Sequence, residues 1–292
     1  MDYSWIKGVG TALVTPFDQG KIDFAAFKKI VDFNIKGGVD YLVPLGTTGE
    51  TSTLTDQECK SVIQSAIEAS EGRVPIINGL YGKNNTRLVL DLIKASDFDG
   101  VNAILVACPY YNKPSQAGLI AHYRTIADAS PIPVILYNVP SRTAVNLNAE
   151  STLALAEHPN IIGTKEASGD FGQIMQILKY KPKDFEMISG DDALTLPMIA
   201  CGATGVISVI SNAFPGHFCK MYDAAIQGDF VTAKEHNDLL LDVHKWLYIE
   251  GNPVGIKACL DLLGFCSEEV RLPLVSLSST NKIALSEAIR SL

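Results

Sequence analysis

The sequence predicts an α/β fold, a (β/α)8 TIM barrel followed by a C-terminal helical extension. Two observations predict it. Short apolar runs alternate with segments of helical periodicity eight times in succession between Gly8 and Gln227, and no other common architecture repeats the unit so often. Beyond that point every periodic segment is helical. The expected organisation is a barrel over residues 1–228 that carries the active site, with a helical appendage over 229–292 packed on it.

Gly8 to Thr15 reads as the first strand, closed by Pro16 and a turn at Asp18-Gln19-Gly20. Asp23 opens a helix whose apolar residues Phe24, Phe27, Ile30, Val31 and Ile35 keep helical spacing until Gly37-Gly38 stops it. Tyr41–Leu45 is the second strand. The loop Gly46-Thr47-Thr48-Gly49-Glu50 follows, and Thr55-Asp56-Gln57-Glu58 is a capping box opening a helix to about Ser70. The alternation continues with strand Val74–Asn78, helix Asn85–Phe98, strand Ala103–Ala107, helix Ser115–Ala129 and strand Val134–Tyr137. A helix opens at Asn148, and the apolar run Ile161–Thr164 is the sixth strand, ended by Lys165. Helix Phe171–Leu178, strand Glu186–Ser189, helix Ala193–Cys201, strand Gly205–Ser208 and helix Pro215–Gln227 complete the barrel. Phe230–Tyr248, Pro253–Leu263 and Ser279–Arg290 are the appended helices.

With 47% hydrophobic and 19% charged residues, the 292-residue chain has ample material for a core. A net charge of −8 argues against nucleic acid or an anionic membrane as partner, since both need basic surface. No apolar segment approaches the ~20 residues of a membrane helix. The N-terminal residues do not read as a signal peptide. Six cysteines without C-x-x-C spacing read as reduced thiols, and the expected location is cytoplasmic. Five histidines form no ligand cluster, so no metal is expected.

In such a barrel the chemistry sits on the loops after the strands. Lys165 ends strand six, Tyr137 ends strand five, and the Gly46–Glu50 loop follows strand two. A buried strand is a poor host for an ammonium group, because desolvation disfavours the charged form. A lysine there is either paired with a carboxylate or serves as an amine nucleophile toward a carbonyl. Thr47 and Thr48 offer hydroxyls on a flexible turn suited to a carboxylate; the same turn also reads as an ordinary helix lead-in. Tyr137 can pass protons through a hydroxyl such as Thr48. Arg142, five residues on, can clamp a substrate carboxylate with two parallel hydrogen bonds. Tyr110 and Tyr111 on the loop after strand four fit a subunit interface or a lid, or plain loop packing. Asp191-Asp192 reads as a helix cap rather than a metal site.

Four stretches taken together resemble the dihydrodipicolinate synthase family across the whole chain: Gly46-Thr47-Thr48-Gly49-Glu50, Tyr110 to Gln116, Tyr137 to Thr143, and Lys165-Glu166-Ala167-Ser168-Gly169. The resemblance implies a Schiff-base lyase that condenses pyruvate with L-aspartate 4-semialdehyde in the diaminopimelate route to lysine. It implies Lys165 as the imine former and Tyr137 as the acid/base, linked through Thr48 to a Tyr111 supplied by the neighbouring subunit. Thr47 and Thr48 would hold the pyruvate carboxylate, the Ile207 carbonyl would line the pocket, and Arg142 would hold the second substrate. No cofactor is implied, because the Lys165–pyruvate imine is itself the electron sink. The implied assembly is a homotetramer built as a dimer of dimers.

Family members inhibited by lysine bind it at the dimer interface, where Tyr110 and Asn84 fit. Asp56 and Cys59 stand where sensitive enzymes commonly carry histidines, and Leu88 where they carry a glutamate, so weak or absent inhibition is expected. Two rivals remain at this point. One is another pyruvate lyase, such as N-acetylneuraminate lyase or a 2-keto-3-deoxy sugar acid aldolase; the other is a non-catalytic keto-acid sensor.

Overall fold

Eight parallel strands close on themselves in the computed structural model, which describes residues 3–80 and 84–292. In chain order they are β1 (Gly8–Ala12), β2 (Tyr41–Val43), β3 (Ile77–Leu80), β4 (Ala103–Ala107), β5 (Val134–Asn138), β6 (Ile161–Glu166), β7 (Glu186–Ser189) and β8 (Gly205–Ser208). Their spatial order is β2-β1-β8-β7-β6-β5-β4-β3, and a bridge between Leu42 and Ile76 joins the two ends. The barrel helices are α1 (Phe24–Lys36), α2 (Asp56–Ser70), α3 (Thr86–Ala95), α4 (Gln116–Ala129), α5 (Ala149–Ala156), α6 (Phe171–Tyr180), α7 (Thr195–Ala200) and α8 (Pro215–Ile226). The extension holds α9 (Phe230–Tyr248), α10 (Val254–Leu262) and α11 (Ser279–Arg290). Among the described residues no helix is long and apolar enough to cross a membrane.

The two-residue period of a strand separates two cores. On β4 and β5, Leu105, Ile135 and Tyr137 belong to one apolar cluster, while Ile104, Val106, Val134 and Leu136 pack with α3 to α6 in the other. At β1 the Tyr41 ring occupies the space a side chain on Gly10 would need, 1.9 Å from the ideal Cβ position. Its phenol donates to the Val206 carbonyl at 3.0 Å, so one residue locks β1, β2 and β8 together.

Several boundaries differ from the sequence reading, each for a local reason. β1 stops at Ala12, and residues 17–22 form a separate hairpin whose turn residues Gln19 and Gly20 both have positive φ. β3 begins at Ile77 rather than Val74, because Pro75 has no N–H for a ladder. α3 ends at Ala95, where the Ser96 hydroxyl bonds back to the Leu92 carbonyl at 2.8 Å. β6 runs two residues past Thr164, which places Lys165 and Glu166 within the ladder.

The extension is bolted to the barrel through buried charge. Lys257 on α10 is fully buried; its Nζ donates to Glu50 Oε1 at 2.5 Å and to the Glu269 carbonyl at 2.8 Å, and lies 4.0 Å from the Phe17 ring centroid. The Arg271 backbone N–H donates to the other Glu50 oxygen at 3.0 Å. The Arg271 guanidinium grips Glu58 with two bonds of 2.9 and 2.6 Å.

That last pair holds the Glu58 carboxyl down to about 2, chiefly through the hydrogen bond from Arg271. The folded value lies below the ~4.3 of a free glutamate, so this stabilisation is complete above about pH 4.3 and is lost as pH falls through the folded value. The Tm difference between wild type and Glu58→Gln, followed across a pH series, is therefore expected to be level near neutrality. It should shrink toward zero between roughly pH 4.3 and 2.

Candidate active site

Lys165 and Tyr137 are register partners on β6 and β5, so strand alternation sends both side chains to the same side of the sheet. The Lys165 ammonium or amine nitrogen lies 4.5 Å from the Tyr137 ring centroid, and both residues are buried. Lys165 enters none of the ion pairs among the described residues. Its neighbour Glu166 points the opposite way, as alternation requires. The Glu166 carboxylate accepts from the Ser168 N–H at 2.7 Å, from Asn138 Nδ2 at 3.1 Å and from Gln173 Nε2 at 3.2 Å. Burial nonetheless raises its pKa above the usual carboxylate value. The structural role that a paired lysine would play is thus not the one Lys165 has.

Gly190 follows β7 beside this lysine. A Cβ there would stand 2.7 Å from Ala167 Cβ and 3.1 Å from both the Glu166 carbonyl oxygen and Lys165 Cγ. The rigid Ala167 cannot swing aside, so Gly190→Ala is expected to displace the β6 end and the lysine stem with it. Misplacing a reacting group by about 1 Å costs about 10²-fold, so a fall of roughly tenfold to a hundredfold in kcat/KM is expected in a steady-state assay.

The Gly46–Glu50 loop is pinned rather than flexible, contrary to the sequence reading. Leu45 and Glu50 both adopt positive φ, at 59° and 52°. The Gly49 and Glu50 N–H groups donate back to Gly46 and Thr47 carbonyls at 3.1 Å each. The Thr15 hydroxyl holds the Gly49 carbonyl at 2.8 Å, and Gly79 lets the loop lie against β3, where a Cβ would be 2.3 Å from the Leu45 oxygen. This fixes Thr48, which is buried, and Thr47, which is half-buried. Gly46, Thr47, Tyr110, Val139, Arg142 and Thr143 are among the residues lining a cavity of about 240 Å³.

Arg142 stands on the helical turn Pro140–Thr143 that follows β5. Its Nη2 donates to the Asn252 carbonyl at 3.4 Å, and Asn252 Nδ2 donates to Thr48 Oγ1 at 3.1 Å. Tyr248, at the end of α9, donates to Asp192 Oδ2 at 3.5 Å. Burial, with Asp192 adding to it, drives the Tyr248 phenol well above its usual range. Asp191 is the cap that was expected, accepting from the Ala193 N–H at 3.0 Å. Asp192 is not a cap: it accepts from the Val209 and Ile210 N–H groups at 3.0 and 2.8 Å and so fastens the β7 loop to the end of β8. Burial raises its pKa. Ile207 lies in that tethered stretch, paired with Gly10, and the β8–β7 ladder has already stopped at Val206.

Of the residues singled out from sequence, the structure gathers Lys165 with Tyr137, and Thr47, Thr48 and Arg142 around Asn252 and the adjoining cavity. Tyr111 is set apart: it is 88% exposed on its own chain, with φ of 70°. Asn84 is engaged with Tyr110, donating to its carbonyl at 2.6 Å and accepting from its N–H at 2.8 Å. Glu166, Tyr248 and Asn252 escaped the sequence reading, and Asp192 was read only as a cap. Strand alternation could have flagged Glu166, and the Asn252-Pro253 turn signal marks a break after α9. Nothing in the spacing announces that this break reaches Thr48.

The sequence profile described as the Dihydrodipicolinate synthetase family matches residues 5–292. A Cytophaga hutchinsonii protein named 4-hydroxy-tetrahydrodipicolinate synthase is 48% identical over 272 residues, covering 93% of this chain and 91% of its own. A Parabacteroides distasonis protein of the same name is 45% identical over 289 residues, covering 98% and 97%. The crystal structure of dihydrodipicolinate synthase from Aquifex aeolicus superposes with a TM-score of 0.94 at 40% identity, covering 98% of this chain and 97% of that one.

Proposed function

Since the chain belongs to the dihydrodipicolinate synthetase family, its activity is that of a 4-hydroxy-tetrahydrodipicolinate synthase, and we propose that Lys165 carries it as the imine-forming amine. The observation that supports this assignment is the pairing of Lys165 with Tyr137 in one register, the lysine entering no ion pair among the described residues. The lysine amine adds to C2 of pyruvate and water leaves, giving an iminium. A methyl proton is then lost, and the electron pair of that C–H bond forms the enamine. The enamine carbon attacks the aldehyde carbon of L-aspartate 4-semialdehyde, and the resulting alkoxide takes a proton. The amine of the second substrate then displaces the lysine by attack on C2, closing the ring and restoring Lys165.

Tyr137 is the acid and base for these transfers, and Thr48 links it to Tyr111 of the neighbouring subunit. The exposure of Tyr111 fits a residue that completes another protomer's site. Thr47 and Thr48 bind the pyruvate carboxylate, Ile207 lines the pocket through its carbonyl, and Arg142 holds the carboxylate of the semialdehyde. The imine makes a separate cofactor unnecessary. The assembly is a cytoplasmic homotetramer with no nucleic-acid or membrane partner. Tyr110 and Asn84 form the effector site, and the weak response to lysine expected above belongs to this reading.

Borohydride reduction in the presence of pyruvate tests the proposal. Mass spectrometry of the digested protein is expected to find a single stable adduct on Lys165. Full turnover without any adduct, or an adduct on another lysine, rejects the assignment.

A further inference from the structure

We propose that Asn252, contributed by the C-terminal extension, is a positioning residue that sets the direction in which Thr48 passes its proton. The inference rests on the function proposed above and goes beyond it to a residue that contacts the relay from outside the barrel.

A hydroxyl has one proton to give and two lone pairs with which to accept. The NH₂ of a side-chain amide only donates. Asn252 Nδ2 lies 3.1 Å from Thr48 Oγ1, between two buried residues, so Thr48 accepts there. Its single proton is thereby left for another acceptor, which in the function proposed above is the tyrosine relay. A carbonyl or carboxylate in the same place would instead capture that proton and hold it away from the reaction. Asn252 Oδ1 is buried and has no hydrogen-bond partner among the described residues, which leaves the amide committed to Thr48 through its nitrogen alone.

The same residue reaches the second substrate's clamp. Its main-chain carbonyl accepts from Arg142 Nη2 at 3.4 Å. One guanidinium N–H is occupied there, and the others stay available for a carboxylate. A single residue, more than a hundred positions from either partner, therefore orients both the relay hydroxyl and the arginine.

The test compares wild type with Asn252→Asp, which keeps the shape and replaces the donor by an acceptor. Three quantities are read: the borohydride-trapped pyruvate adduct, exchange of the pyruvate methyl protons with D₂O by NMR, and coupled turnover, each as a function of pH. Absence of the adduct in wild type would reject the proposed function itself. With the adduct present in both proteins, methyl exchange and kcat of the variant are expected to fall about tenfold to a hundredfold near neutrality, the scale of general acid–base catalysis. The deficit should narrow as pH is lowered and the introduced carboxyl gains a proton to donate. Exchange within about twofold of wild type overturns the proposal; it is the result expected if the amide oxygen faced Thr48, since a carboxylate accepts equally well. A deficit that is the same at every pH, with adduct yield falling in parallel, overturns it too and assigns Asn252 to packing. If Asn252→Asp does not fold, Asn252→Ala replaces it. A tenfold loss of exchange at unchanged adduct yield then supports the proposal, and a loss below about twofold overturns it.

Discussion

Lys165→Ala is expected to lose the pyruvate adduct entirely and to lower condensation by on the order of 10⁴-fold or more, the scale on which removal of a covalent nucleophile acts. The expectation follows from chemistry that no other side chain in the mouth can supply. An arginine cannot stand in, because its guanidinium does not deprotonate in proteins. Lys165→Arg should therefore fail as completely as the alanine variant while keeping the positive charge, which separates a nucleophilic role from a purely electrostatic one. Lys165 enters no ion pair among the described residues, so neither change strands a buried carboxylate. Thermal denaturation should move by only a few degrees, and a lost adduct is then not a consequence of unfolding. Single-turnover trapping and the coupled assay check both arms. An alanine variant that turns over at the wild-type rate would remove the basis of the mechanism.

Lys257→Met is expected to destabilise the protein by about 3–5 kcal/mol, the range found when one partner of a buried pair is removed. Lys257 and Glu50 are both essentially without solvent, and burial lowers the lysine pKa even against the attraction of Glu50. Methionine matches the length of the stem but leaves the Glu50 carboxylate uncompensated. At roughly 2–4 °C per kcal/mol for a chain of this size, Tm should drop by about 10 °C. The double variant Glu50→Gln with Lys257→Met removes both charges and leaves an amide oxygen for the Arg271 N–H. It should recover more than half of the loss. A double variant no more stable than Lys257→Met would show that the deficit lies in packing rather than in an unpaired charge. Because Glu50 closes the turn that carries Thr48, the single variant should also lose activity below its melting range.

The architecture was legible in the sequence because each strand is buried on both faces and reads as a short apolar run between turn residues, from Tyr41–Val43 to Gly205–Ser208. Boundaries were least legible where a side chain or a proline decides them, as at Pro75 and Ser96. Lys165 and Tyr137 were recognisable because each stands near the C-terminal end of a strand, and Arg142 because it stands on the turn that follows β5; a barrel collects strand ends at one mouth. The outer ring of the site was not. Tyr248 and Lys257 lie on helices whose periodicity announces only an apolar face, and Asn252 lies in the turn between them. Their polar contacts depend on how the extension folds back, and that long-range geometry has no local signature.

The Glu50–Lys257–Arg271 staple has a consequence for the order in which the protein is made. During translation the eight strands leave the ribosome before residue 229, but the turn bearing Thr48 meets its counter-charge only after Lys257, and its second anchor only after Arg271. Until then the nascent barrel holds an unpartnered carboxylate beside its own mouth. Catalytic competence thus arrives with the segment that carries Lys257 and Arg271, and a message truncated upstream of that segment would yield a barrel unable to work.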